Sequence, residues 1–146
     1  MEADAPKDPA AEERCRRRSA LAAMLRDRTT ELLGQLIPEA VRASGLDQDI
    51  VDGYRSGSDE SMRIGLQALE ADDEERDALL DHLIARIQIT TREHHVPAIV
   101  ERGLVSVGLR WALTQVRERA PEYGFASAEL EEEYKEFRDA FEEKFR

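Results

Sequence analysis

The sequence predicts an all-α domain, and three observations carry that expectation. Apolar residues recur at three- and four-residue steps through most of the chain, the period of helices with one face turned inward. Strand-like alternation never lasts more than a few residues. Proline, glycine and acidic clusters cut the pattern into six or seven segments of unequal length joined by short turns. At 146 residues, one domain with its own core is expected.

Residues 1–11 carry Pro6 and Pro9 among Ala, Asp and Lys with no apolar period, and read as a disordered lead. Residues 12–146 read as a single helical domain. Leu21, Met24, Leu25, Leu32, Leu33 and Leu36 form the first helical stripe. Pro38 suits the first turn of a new helix, and Gly45 supplies its stop. Ile50, Val51 and Tyr54 suit one or two turns. Ser56-Gly57-Ser58-Asp59 is then expected to break the chain and cap a helix edged by Met62, Leu66 and Leu69. Asp72-Asp73-Glu74-Glu75 puts acids where the positive end of a helix dipole favours them, ahead of Leu79, Leu80, Leu83, Ile84 and Ile87. That helix ends within Thr90–His95, because Pro97 disfavours helical geometry at Val96.

Pro97 opens a helix that runs to about Ala120. Pro121-Glu122-Tyr123-Gly124 is a turn and Ser127 a cap. The last helix, Ala128 to Arg146, places Leu130, Tyr134, Phe137, Phe141 and Phe145 on one stripe of a highly charged rod. Unequal helices with short turns fit a globin-like arrangement better than an up-down four-helix bundle.

Composition narrows the function. The single cysteine, Cys15, excludes a disulfide framework and a Cys-based zinc site. No apolar run approaches the roughly 20 residues that span a bilayer, and no secretory start is visible, so a cytoplasmic protein with no membrane role is expected. Lys and Arg number 21 against 32 Asp and Glu, a net charge of −11 that disfavours direct nucleic-acid binding. The basic run Arg14, Arg16, Arg17 and Arg18 is expected in salt bridges or a tail. Gly53, Gly57 and Gly65 are isolated and make no phosphate loop. His94-His95 lacks the partner four residues away that a zinc helix needs. Glu131-Glu132-Glu133 reads as a solvated helix face. No catalytic constellation emerges, and an enzyme is not expected.

The helix after Pro97 carries two apolar stripes. With Val100 at zero, Leu104, Val107 and Trp111 fall within about 40° of it, whereas Val105, Leu109, Ala112 and Val116 fall near about 120–180°. A helix on the surface of a monomer normally has one such stripe. The first, Val100, Leu104, Val107 and Trp111, is expected to face the core or a pocket. Either both stripes lie in one core with this as its central helix, or the second, with Tyr134, Phe137 and Phe141 of the last helix, faces a second copy in a homodimer. Gly103, Ser106 and Gly108 would allow close backbone approach.

The stretch Arg92-Glu93-His94-His95-Val96-Pro97-Ala98-Ile99-Val100-Glu101-Arg102-Gly103-Leu104, followed by Val107-Gly108-Leu109-Arg110-Trp111, resembles the Gly-Val-Pro segment and following helix of the N-terminal domains of RsbR-type stressosome proteins. Similar segments precede the output region of PucR-like transcription regulators. In that pattern a Gly follows the Pro by about eleven positions and a Trp comes soon after; Gly108 and Trp111 match. The resemblance spans roughly Leu25 to Arg119. It implies a globin-like sensor domain without haem that is dimeric and passes a stress or transcriptional signal to an output domain or partner protein. The sequence departs from the pattern at His95, where the family has Gly, and no STAS, kinase or DNA-binding segment follows the last helix.

Haem-binding globin-coupled sensors share a similar segment, and their pattern implies an axial His about six residues before the Pro. Thr91 stands there, so no cofactor is expected. In the alternative of a haem-based gas or redox sensor, His94 or His95 would be the ligand. A further alternative is a helical adaptor that takes a partner helix into an apolar groove.

Overall fold

Seven helices, one π-helical turn and one 3₁₀ turn make up nearly all of residues 8–146, the residues that the computed structural model describes. They are α1 (Pro9–Arg26), α2 (Thr29–Glu31), the π turn (Leu32–Leu36), α3 (Ile37–Ala43), α4 (Gln48–Glu70), α5 (Asp73–Glu93), α6 (Ala98–Arg119), the 3₁₀ turn (Ala120–Tyr123) and α7 (Ser127–Phe145). Among the described residues there is no strand, so the chain is all-α as the periodicity predicts.

Local chemistry explains most boundaries. The Asp8 carboxylate accepts from the Ala10 backbone N at 3.1 Å and Pro9 fills the first turn, so α1 starts inside the segment expected to be disordered. The rest of that expectation, residues 1–7, lies outside the described residues. Pro38 has no N–H to give the preceding turn. The chain widens ahead of it, with the Ile37 N–H donating to the Leu32 carbonyl. The Asp72 carboxylate caps α5 by accepting from the Glu75 N–H at 2.8 Å. After α5, His95 takes a left-handed φ of 53° and Val96 N–H donates to the Thr91 carbonyl at 2.9 Å. This closes the helix before Pro97. Gly45 and Gly124 fill the other left-handed positions, with φ of 80° and 83°.

Two expected boundaries are corrected. Ser56-Gly57-Ser58-Asp59 does not break the chain; it lies inside the 23-residue α4. The Ser58 hydroxyl donates to the Tyr54 carbonyl at 2.8 Å instead of capping a new helix. Gly57 serves packing. A Cβ there would sit 2.6 Å from Thr90 Oγ1 on α5, and one at Gly53 would sit 2.6 Å from His94 Nδ1. These two glycines, one turn apart, let α4 and α5 close as a tight hairpin. Ser127 is the first residue of α7 and not its cap; its hydroxyl donates to the Arg117 carbonyl at 3.0 Å and ties α7 to the end of α6.

The α4–α5 hairpin, α1 and the α6–α7 pair surround one apolar core. Beside that core, the basic run finds its partners. Arg18 is buried; its guanidinium donates to the Ala71 carbonyl at 2.7 Å, to Asp73 at 2.7 Å and to Glu133 at 3.5 Å. Arg17 reaches the same Glu133 at 3.3 Å. Arg76 is buried nearby and donates to the Ala68 and Leu69 carbonyls at 2.9 and 2.8 Å. These bonds pin α1, the α4–α5 corner and α7 to one another. Glu133, expected on a solvated face, is instead an interior carboxylate with charged donors on it.

Candidate functional site

An apolar cavity of about 170 Å³ lies where α4, α5, α6 and α7 meet. Its origin is legible residue by residue. Ser58, Ser61 and Gly65 lie at steps of three and four on one face of α4, and Gly108 and Ala112 lie one turn apart on α6. All five are small. The larger walls come from Leu25, Leu66, Leu83, Leu104, Tyr134 and Phe137 on five helices. A Cβ built at Gly108 meets nothing within 4 Å, and one at Gly65 finds only Leu83 Cδ2 at 3.8 Å. The elements around the space hold it open, and small residues leave it unfilled.

Natural interiors contain few voids larger than a water molecule. An engineered apolar cavity of about 150 Å³ stays dry and takes up benzene.

Polar groups around the cavity are few, and two of them are tied to backbone carbonyls. Ser58 is bound to the Tyr54 carbonyl. The Tyr134 hydroxyl donates to the Leu109 carbonyl at 2.8 Å, a direct tie between α7 and α6. Burial pushes the Tyr54 phenol up to about 12 and raises the Tyr134 phenol as well, so both are neutral donors at ordinary pH. The Trp111 indole N–H is buried and has no acceptor among the described residues. No nucleophile–base pair lines the space.

The two stripes of α6 are distributed differently from expectation. Leu104 and Trp111 of the first stripe are buried and line the cavity, whereas Val100 and Val107 are half-buried, pack against the core and do not line it. Ala112, Val116, Tyr134, Phe137 and Phe141, expected at a dimer interface, are buried within the single chain. The reason is that α7 folds back along α6 and covers that edge itself. Apart from Val116, these five line the cavity, as do the half-buried Val105 and Leu109. Among the described residues, a Cβ at Gly103 or Gly108 would meet nothing within 4 Å.

The histidines lie elsewhere. His94 packs its ring on Gly53, His95 is exposed in the turn, and His82 is exposed on α5. None of the three lines the cavity. Among the described residues, no three His, Cys, Asp or Glu side chains are placed to hold a metal ion, and no helix is long and apolar enough to cross a membrane. Comparison of the chain with family models, curated proteins and solved structures finds no match.

Proposed function

We propose that this chain is a regulatory sensor domain of globin-like architecture that works without haem and without catalysis. An apolar small molecule enters the cavity, shifts α6 against α7, and so signals to an output domain or partner protein in the cytoplasm. The observation that supports this reading is the cavity itself: an apolar space walled by six helices and the π turn, with small residues at helical spacing on its walls. A ligand shifts an equilibrium only by its differential affinity for the two states. The Tyr134–Leu109 bond and the Phe141 ring stand on the cavity wall, so an occupant that spreads α6 from α7 acts on both. Phe141 stacks on Phe145, with centroids 5.3 Å apart, which carries a displacement to the end of α7.

A homodimer belongs to the same proposal, with its contact narrowed to what the single chain leaves open. Ile99, 81% exposed, and the half-buried Val105 and Leu109 remain on α6 for a second copy.

The test is thermal unfolding with a neutral apolar probe. Naphthalene near saturation should raise the Tm by several degrees, because a ligand at 100 times its Kd stabilises by about 2.7 kcal/mol. Gly108→Leu, which fills the space, should remove the shift while remaining folded. An unchanged Tm in the wild-type protein, or an equal shift in Gly108→Leu, would overturn the reading.

A further inference from the structure

A second, outer groove of about 490 Å³ runs between α6 and α7. Its apolar lining is Val105, Leu109, Leu113, Phe141 and Phe145. Two rows at four-residue steps also line it: Arg102, Ser106 and Arg110 on α6, and Arg138, Glu142 and Arg146 on α7. Four arginines and one carboxylate therefore converge on one groove of a chain whose net charge is −11.

Those arginines are poorly occupied. Among the described residues, Arg102, Arg110 and Arg146 form no ion pair, and Arg110 donates only to the Ser106 carbonyl of its own helix at 3.4 Å. Arg138 reaches only its neighbour Asp139, at 3.7 Å, and its buried Nε has no acceptor. Val105, Leu109 and Phe141 line both the groove and the inner cavity, so one layer of side chains separates a basic surface from an apolar interior.

We infer that the cavity's ligand is an anionic amphiphile, a single acyl tail with a carboxylate or phosphate head: the tail enters past Val105 and Leu109, and the head is held in the groove by Arg102, Arg110 and Arg138. This rests on the reading of the cavity as a ligand site. A neutral apolar molecule would leave the arginines unused, and an acidic peptide would leave the cavity empty. Guanidinium groups match the oxygens of carboxylate and phosphate with paired donors, which favours an anionic head. A second copy of an acidic chain is a poor electrostatic match except at this groove.

The experiment uses the fluorescence of Trp111, the chain's only tryptophan, which stands on the cavity wall. Decanoate, octanoate and 1-decanol are titrated into the wild-type protein, Arg102→Gln/Arg110→Gln and Gly108→Leu. Decanoate should bind at least about tenfold tighter than 1-decanol, and octanoate about fifteenfold weaker than decanoate, at about fourfold per methylene. The double arginine variant should lose about tenfold for decanoate and nothing for 1-decanol. Gly108→Leu should weaken both. Equal affinity for decanoate and 1-decanol, or equal losses in the arginine variant, would overturn the inference and leave the cavity reading standing. No binding of any of the three would overturn both. Binding to phosphatidylglycerol vesicles without binding of free decanoate would assign the basic groove to a membrane surface and also overturn the inference.

Discussion

Adding one methyl group at each of three glycines discriminates between packed and open surfaces of the same fold. Gly57, Gly103 and Gly108 all lie inside long helices, where Gly is about 0.8–1 kcal/mol less favourable than Ala. At Gly103 and Gly108 a Cβ meets nothing within 4 Å, so Ala should keep that gain of about 1 kcal/mol and raise the Tm by about 3 °C. At Gly57 the Cβ would lie 2.6 Å from Thr90 Oγ1 and 3.0 Å from Thr90 Cβ, well inside the roughly 3.5–4.0 Å of a comfortable carbon contact. Forced separation of packed elements costs about 1–3 kcal/mol, so Gly57→Ala should be net destabilising by up to about 2 kcal/mol. Urea denaturation of the three variants measures the contrast. The double variant Gly57→Ala/Thr90→Ala should recover part of the loss, a coupling that distant sites would not show. If Gly57→Ala stabilised as much as the other two, the close α4–α5 contact would be refuted, and with it the account of why α4 runs through its Ser-Gly-Ser-Asp segment.

Three further predictions concern charge, protonation and assembly. Glu133 has a side chain only 1% exposed and accepts from Arg17 and Arg18; Glu133→Gln should cost about 3 kcal/mol in urea denaturation, and a loss under about 1 kcal/mol would show that the cluster is electrostatically idle. Burial holds the Tyr54 phenol at about 12, above its ordinary value of 10.0, so the unfolded chain releases this proton first as pH rises. Stability should be intact below pH 10 and fall between pH 10 and 12, with Tyr54 contributing on the order of 2–3 kcal/mol and the raised Tyr134 phenol adding to it, so Tyr54→Phe should shrink the fall by the Tyr54 share and leave the remainder. Light scattering should give twice the 16.6 kDa chain mass for the ligand-free protein. Because Val105 and Leu109 also line the groove, saturating decanoate should move that mass toward the monomer, whereas a monomer at every concentration would remove the dimer from the proposal.

The sequence carried the helices more fully than their roles. Helix starts at Asp72 and Pro97, the stop at Gly45 and the turn at Pro121–Gly124 follow from capping and φ restrictions that act within a few residues. Gly57 is ambiguous in sequence because glycine serves two purposes, breaking a helix or letting a neighbour approach. Only the position of Thr90 on another helix decides between them. In the second stripe of α6 only Ala112 and Val116 are buried, while Val105 and Leu109 stay half-buried; which positions are covered depends on where α7 folds, and periodicity contains no such long-range information. The cavity had a faint local signal in the small residues Ser58, Ser61 and Gly65 on one face. It becomes a site only when Gly108 and Ala112 are set opposite them. The basic run points to salt bridges for Arg18, but the burial of Arg18, Arg76 and Glu133 is not legible, because one-dimensional charge runs look alike whether solvated or buried.

The most direct measurement of the central claim is intermolecular NOE contact between bound naphthalene and assigned methyl groups. The account predicts NOEs to the Leu66, Leu83, Leu104 and Leu109 methyls, all on the cavity wall, and their loss in Gly108→Leu. NOEs confined to exposed Ile99, or NOEs to the four leucines that persist unchanged in Gly108→Leu, would contradict it.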